Sequence, residues 1–434
     1  MFELEEQHRI MEQMIRAFCE KEIAPHVEAM EREEVLPFDI MRDLAKKFGI
    51  DRFISRMEKS QDKEQQGGGE ESKKKEEKEE EAEGEDQDQD EQGLLGIAGD
   101  PMMGTIVGKE LSRVSPGLCL ALGASLGLCG GTIMAKGTPE QKKKYGLPVL
   151  GLQKVGCWGM TEPESGSDAF ALKTIARPKE DGYIINGSKT FITNAPYADV
   201  LVVYAKIDRG QKDPRDKRFI FPFVMEKDTE GLSVSKPMKK MGMKASPTGE
   251  IFLDDVFVKK DQLLGETEEK SSREQAKDVF AGERSGAPTM CWGIIERCLD
   301  DSIKYATERK QWGRPLAEFQ LIQEKLARMY VHLENVRNIA FKQAWATKNR
   351  KATAADQCAA KYYCANAAVE VALDAIQLMG GYGYMQEYHV EMLMRDAKLI
   401  SIGGGTDEIQ LLTIAKELLK KHDFEVTISG TREM

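Results

Sequence analysis

Helices, then strands, then helices, without alternation of the two, predict a multidomain α and β chain of 434 residues. The expected parts are an N-terminal helical domain (1–155), a middle β-barrel-like domain (156–268) and a C-terminal four-helix bundle (269–434). Three observations lead there. Apolar residues recur at helical spacing at both ends of the chain. From about Gly156 to residue 265 they fall instead in short β-rich segments bounded by turn residues. From about Ser271 to Lys421 helical periodicity returns in long, largely uninterrupted stretches, the pattern of a bundle. The missing βα alternation argues against a Rossmann domain. Gly380-Gly381-Tyr382-Gly383 follows a helix rather than a strand and does not revive one.

Residues 1–50 read as two helices, with apolar positions at Ile10, Met14, Ile15 and Phe18, then at Ile40, Met41, Leu44 and Phe48. Pro25 and Pro37 punctuate the stretch between them. Residues 57–92 hold 16 acidic and 6 basic side chains and almost nothing apolar, so they are expected to form a solvated acidic insertion that adds nothing to a core. Helical order resumes near Met102. In the middle, YIINGSKTFIT, DVLVVYAKI, RFIFPFVME and EIFLDDVFV read as strands, and Asn186-Gly187 as a hairpin turn.

Composition narrows the function. The formal charge is −11, but the acidic insertion alone carries −10, so the rest of the chain is near neutral. No basic stripe interleaved with aromatics is present, which argues against nucleic-acid binding. The eight cysteines include no CxxC pair and read as free buried thiols in a reducing compartment. The five histidines form no ligand cluster, so no metal is expected. The N-terminus is an acidic amphipathic helix with neither a secretory h-region nor transit-peptide character, and no apolar run reads as long enough to span a bilayer. A cytoplasmic protein is expected, bacterial or archaeal rather than organellar.

Four blocks carry chemistry. They are Trp158-Gly159-Met160-Thr161-Glu162-Pro163-Glu164-Ser165-Gly166-Ser167-Asp168; Asn186-Gly187-Ser188-Lys189-Thr190-Phe191-Ile192-Thr193-Asn194; Glu308-Arg309-Lys310-Gln311-Trp312-Gly313-Arg314-Pro315-Leu316 with Phe319-Gln320; and Gln377 to Tyr384, continuing through Met394-Arg395-Asp396-Ala397-Lys398 to Ile402-Gly403-Gly404-Gly405-Thr406-Asp407-Glu408. In this order and spacing they resemble the acyl-CoA dehydrogenase family, over nearly the whole chain outside residues 50–100.

The resemblance implies an acyl-CoA dehydrogenase-like fold, bound FAD and α,β-dehydrogenation of an acyl-CoA thioester. An isoalloxazine ring needs a flat wall and a few fixed hydrogen bonds at its polar edge. By resemblance, Met160 and Thr161 serve the pyrimidine edge, Thr193 reaches N5, Trp158 and Phe191 wall the ring, and Ser167 binds phosphate. Arg309 would grip the pyrophosphate from a neighbouring subunit, with Gln311, Trp312, Gln320, Gln377 and Gly381 also in the cofactor site and Thr406 and Glu408 near the adenosine. Such sharing implies a homo-oligomer, usually a tetramer. Electron-transfer flavoprotein is the implied electron acceptor.

In many members a glutamate two residues before the threonine removes the α-proton. Here that position is Gly404, which offers a backbone N–H to the thioester oxygen but no carboxylate. The isovaleryl-CoA and long-chain branch carries its glutamate on another helix, before an arginine and 26 residues ahead of the flavin-binding arginine. Glu283 stands 26 residues before Arg309 in Gly282-Glu283-Arg284, so Glu283 is the expected base. Arg284 and Gly405 would then contact the acyl-CoA. The small residues of Cys119–Gly127 are expected to leave room for a branched, cyclic, aromatic or long acyl group. An enoyl-CoA reductase, an acyl-CoA oxidase and a catalytically silent flavoprotein with a binding or assembly role remain open on the same scaffold.

Overall fold

The computed structural model describes residues 4–52, 54, 57, 100–210, 219–268, 272–422 and 424, with helix residues 272–285 described by their backbone alone. The acidic stretch 57–92, Met57 apart, therefore lies outside the described residues.

The first helix, α1 (Glu6–Phe18), is opened by a capping box between Glu5 and His8. It buries Met11, Ile15 and Phe18, while Ile10 and Met14 are 52% and 51% exposed. The expected inward face is thus corrected by one residue. Ile10-Met11 and Met14-Ile15 are adjacent apolar pairs, so the sequence offers two stripes, and packing against the next helices selects one. Helix α2 (Phe38–Lys47) buries Phe38, Ile40, Met41 and Leu44. Helix α3 (Pro101–Val114) starts with Pro101 behind Asp100, whose carboxylate accepts the Met102 N–H at 3.0 Å.

Helix α4 (Pro116–Lys136) passes through a π-helical stretch at Ala124–Gly130. It is long and apolar enough, by length and composition, to cross a membrane, and this corrects the expectation that no run reaches that length. The physical reason lies in its surroundings: Leu118 and Ala121 enter the core while Gly123, Ala124 and Gly127 face a cavity, so little of α4 calls for charge.

The middle of the chain is a curled, half-barrel sheet. Its strands are β1 (Gly156–Gly159), β2 (Ile175–Lys179), β3 (Gly182–Thr193), β4 (Val200–Ile207), β5 (Ile220–Glu226), β6 (Leu232–Val234) and β7 (Thr248–Lys259). They lie in the order β1-β4-β2-β3-β7-β6, with β5 also paired to β4. Every residue of β4 is buried, because both faces of the sheet are covered at its centre. Two register shifts along β3 and β7 help it curl.

One shift falls at Asn186-Gly187. These residues lie inside β3 and make no turn; the tight turn instead precedes Gly182, where Lys179 pairs with Gly182. Gly187 has φ +150°, and a Cβ there would stand 2.5 Å from Thr174 Oγ1, so the glycine serves a bulge. The dipeptide that most often signals a hairpin here signals close backbone approach.

The C-terminal part packs four long helices, α5 (Ser272–Glu308), α6 (Gln320–Lys348), α7 (Ala354–Met379) and α9 (Asp407–Lys420), with the shorter α8 (Val390–Ile400) against α7. Alanines and Cys364 on α7 let its neighbours approach closely. One apolar cluster runs from Ile15 and Leu111 to Ile295, Val371 and Leu393, so the helices at the two ends of the chain share a core. A second pair of clusters lies on the two faces of the sheet.

Candidate active site

A cavity of about 1090 Å³ opens where α3, α4, α5 and the turn between α8 and α9 meet. Helix α4 contributes Cys119, Leu120, Leu122, Gly123, Ala124, Leu126 and Gly127, so the segment read as small-residue lining does line it. Gly104 and Gly108 on α3 widen it, Gly286 and Ala287 on α5 form a further wall, and Gly403 and Gly404 form another.

The glycine turn is held from behind. Gly404 and Gly405 have φ +64° and +87°, the left-handed region in which a side chain is strained. Gln410, fully buried on α9, donates to the carbonyls of Gly404 (3.1 Å) and Gly405 (2.8 Å). Lys361, 2% exposed on α7, donates to Gly405 O at 2.6 Å and also lines the cavity. Among the described residues nothing accepts the Gly404 N–H. Thr406 caps α9 by accepting the Ile409 N–H. Glu408 is exposed in the first turn, where a backbone N–H and Thr406 hold its carboxyl below the usual range.

Glu283 and Arg284 lie on α5, in the part whose side chains are outside the described residues. Gly286 and Ala287, three and four residues after Glu283, line the cavity, and three and four are the spacings at which helical residues share a face.

A second group gathers at the open end of the sheet. Beyond Trp158 on β1, the Met160-Thr161 turn is fastened to β3: Thr190 N–H donates to Thr161 O at 3.0 Å, and Lys189 Nζ donates to Met160 O at 3.3 Å. Lys189 is fully buried and pairs with Glu162 Oε1 at 2.7 Å. Burial pushes its ammonium down to about 8 against the pull of Glu162. Burial alone would raise Glu162, but Lys189 and the Lys173 backbone N–H bring it below the ordinary carboxylate range. Beside this turn, Phe191 stands 68% exposed at φ +59° and Thr193 is half-buried. Trp158 packs edge-on against Tyr204, with ring centroids 5.2 Å apart. Ser167 lies exposed on the following loop.

A third group is separate. Arg309, Gln311, Gly380, Gly381 and Tyr382 line a pocket of about 480 Å³, with the Arg309 guanidinium 5.7 Å from the centre of the Tyr382 ring. Trp312 is 86% exposed, and Gln320 and Gln377 are exposed nearby in sequence. None of the sheet-end residues Trp158, Met160, Thr161, Phe191 and Thr193 lines this pocket.

Sequence reading singled out neither Lys361, Gln410 nor the Lys189–Glu162 pair as functional. The available signal for Lys361 was a lone lysine inside the apolar run Cys358-Ala359-Ala360-Lys361, an unusual place for a cation that has no task.

Comparison with known proteins covers most of the chain. The model of the acyl-CoA dehydrogenase N-terminal domain matches residues 5–50 and 89–151, that of the middle domain 157–256 and that of the C-terminal domain 273–419. The N-terminal match breaks across most of the acidic insertion. A 3-(aryl)acrylate reductase from Clostridium sporogenes is 34% identical over 96% of this chain and 99% of its own length. The CarC subunit of the caffeyl-CoA reductase–Etf complex of Acetobacterium woodii is 33% identical over 96% and 99%. The solved butyryl-CoA dehydrogenase of Megasphaera elsdenii superposes with a TM-score of 0.80 at 32% identity, over 96% of this chain and all of that one.

Proposed function

The chain belongs to the acyl-CoA dehydrogenase family, as an FAD-binding oxidoreductase acting on acyl-CoA, and from that premise we propose that it desaturates a bulky acyl-CoA thioester between Cα and Cβ with Glu283 as the base. The observation that carries this reading is the shared cavity. One wall is Gly404, whose N–H is available, and another begins three residues after Glu283 on α5.

In this reading Glu283 takes the α-proton. Closure around the thioester strips water from the carboxylate and raises its pKa, which makes it a stronger base. The Gly404 N–H donates to the thioester oxygen as negative charge gathers there. Arg284 and Gly405 orient the acyl-CoA. The volume of about 1090 Å³ and its glycine and alanine walls suit a branched, aromatic or long acyl group.

The residues fit the flavin. The fastened Met160-Thr161 turn has its backbone held in place beside the exposed face of Phe191 and the hydroxyl of Thr193, and Trp158 backs the same sheet end. Arg309 with the Gly380-Gly381 cradle, bounded by Gln311, suits a pyrophosphate. Bound FAD would supply the acceptor for the hydride leaving Cβ. Because the sheet-end and Arg309 groups line separate places among the described residues, completing the site with Arg309, Trp312, Gln320 and Gln377 from a second copy is the economical arrangement, and we propose a homotetramer. Ser167 would meet phosphate, and Thr406 and Glu408 the adenosine side.

Of the two reductase relatives, CarC, a subunit of an Etf complex, supports electron-transfer flavoprotein as the electron partner. Both relatives support a second reading, reduction of an enoyl-CoA, which uses the same geometry in the opposite direction. The eight cysteines, seven of them buried and none in a disulfide, fit a reducing cytoplasm.

The test is anaerobic titration with branched, aryl and long-chain acyl-CoAs while following the flavin absorbance. The wild type should bleach. Glu283→Gln should keep its flavin and lose the reduction rate by about 1,000-fold. Reduction of the variant at the wild-type rate sinks Glu283 as base, and no bleaching with any thioester would favour a silent flavoprotein. Reoxidation of the reduced enzyme by enoyl-CoAs, compared with oxidation by Etf, assigns the direction.

A further inference from the structure

We infer that Lys361 is a positioning residue for the reaction: a buried cation that holds the glycine turn and biases the Gly404 N–H toward the acyl carbonyl. This rests on the reading of Gly404 given above and adds a residue to it.

Lys361 lies on α7 beside Ala360, three residues before Cys364 and 44 before Gly405 in sequence. Burying an ammonium is costly unless hydrogen bonds and nearby charge stabilise it. Its Nζ donates to Gly405 O at 2.6 Å, a short charge-assisted bond. Gln410 Nε2 draws the Gly404 and Gly405 carbonyls the same way. Two donors, one on α7 and one on α9, thus hold both carbonyls of a turn whose residues are left-handed at φ +64° and +87°. The carbonyls are committed to this backing, and the Gly404 N–H has no described acceptor, while Gly403, Gly404 and Lys361 all line the cavity.

The two clamps differ in one respect that matters for chemistry. Gln410 is neutral and can only shape the turn. Lys361 is charged and sits on the cavity wall, where little water screens it. Its field therefore favours negative charge on an oxygen at the Gly404 N–H, which is what loss of an α-proton creates. Asp407, two residues after the turn, accepts from Asn366 Nδ2 at 3.0 Å, and its charge, like that of Lys361, reaches the Cys291 thiol, so it offsets part of the Lys361 field. The thiol of Cys291 is near enough to feel Lys361, but burial dominates and pushes its pKa well up, so it stays neutral.

The experiment measures α-proton acidity apart from turnover. A 3-thiaacyl-CoA ionises at its α-carbon but cannot deliver hydride, and its enolate gives a long-wavelength absorbance against the flavin. Holoenzyme of wild type, Lys361→Gln, Lys361→Arg and Gln410→Leu is titrated with pH in saturating analogue. Lys361→Gln keeps a donor for Gly405 O without the charge. The proton concentration at half-ionisation should fall about tenfold to a hundredfold for Lys361→Gln, with analogue affinity within about threefold of wild type. Lys361→Arg should stay near wild type, and Gln410→Leu should shift less than Lys361→Gln.

Equal ionisation in Lys361→Gln and wild type overturns the role of Lys361. So do equal shifts in Lys361→Gln and Gln410→Leu, which would mean that only turn shape matters. If Lys361→Gln does not yield holoenzyme, Lys361→Arg decides, and a shift there as large as that of Gln410→Leu overturns the inference. A wild type that ionises no analogue overturns the reading of Gly404 itself, an outcome distinguishable from the others.

Discussion

The carboxylate of Asp396, on α8, accepts the backbone N–H of Met243, a residue 153 positions earlier in the chain. Met243 is left-handed at φ +51° and lines the active-site cavity. The contact therefore ties the loop after β6 to the helix that runs into the glycine turn. The neighbouring Arg395 reinforces the joint by pairing with Glu31 and Glu391 and donating to Met241 O.

Asp396 gives a pH-dependent stability with a definite sign. Burial, and then the charge of Glu31, push its carboxyl up to about 7, against the Met243 N–H, Arg395 and Lys240. Between the ordinary carboxylate range and pH 7 the folded chain keeps a proton that the unfolded chain has released. The contribution of this group is full at low pH and is lost as pH rises through about 7. Asp396→Asn keeps an oxygen for Met243 and carries no charge. Its stability should match wild type near pH 4 and exceed it by about 1–3 kcal/mol at pH 8. Thermal melts across pH check this, and an Asn variant less stable at pH 8 would contradict it.

The Lys189–Glu162 pair predicts a coupled loss of stability and cofactor. Lys189→Met leaves Glu162 buried without its cation, at a cost of about 3–5 kcal/mol, and frees the Met160 carbonyl. The flavin-to-protein absorbance ratio after gel filtration should fall with the melting temperature. Lys189→Met with Glu162→Gln should recover much of the stability, because no unpaired charge is left buried.

Gly104 predicts a change in selectivity without a change in folding. A Cβ there meets nothing within 4 Å, and the residue lines the cavity from α3. Gly104→Leu should fill that part and lower kcat/KM for the bulkiest accepted thioesters by about 10-fold or more, leaving short ones unchanged. Its melting temperature should stay level or rise, since leucine favours a helix over glycine by about 0.8 kcal/mol. A uniform fall across chain lengths would show that Gly104 lies outside the acyl path.

Much of this arrangement was legible in the chain itself. The small residues of Cys119–Gly127 announced a wall with space beside it, and Gly404 announced a turn with a backbone donor and no carboxylate. Arg309 and Gly381, 72 residues apart, were read into one site and line one pocket. Elsewhere local pattern misled. Ile10 and Met14 looked inward because they alternate with equally apolar neighbours. Asn186-Gly187 looked like a turn because flexibility suits a turn and a bulge alike. Pro116–Lys136 did not stand out as one long apolar helix because its glycines break the hydrophobic run.

The order of helices and strands, the four chemical blocks and the register of Glu283 to Arg309 were readable from residue order, because all of them depend on spacing along the chain. Which buried charges matter emerges only from the folded chain. Lys361 against Gly405, Lys189 against Glu162 and Asp396 against Met243 each join residues from 27 to 153 positions apart. A charge removed from water is stabilised by whatever group the fold brings beside it, and sequence spacing does not reveal which group that will be.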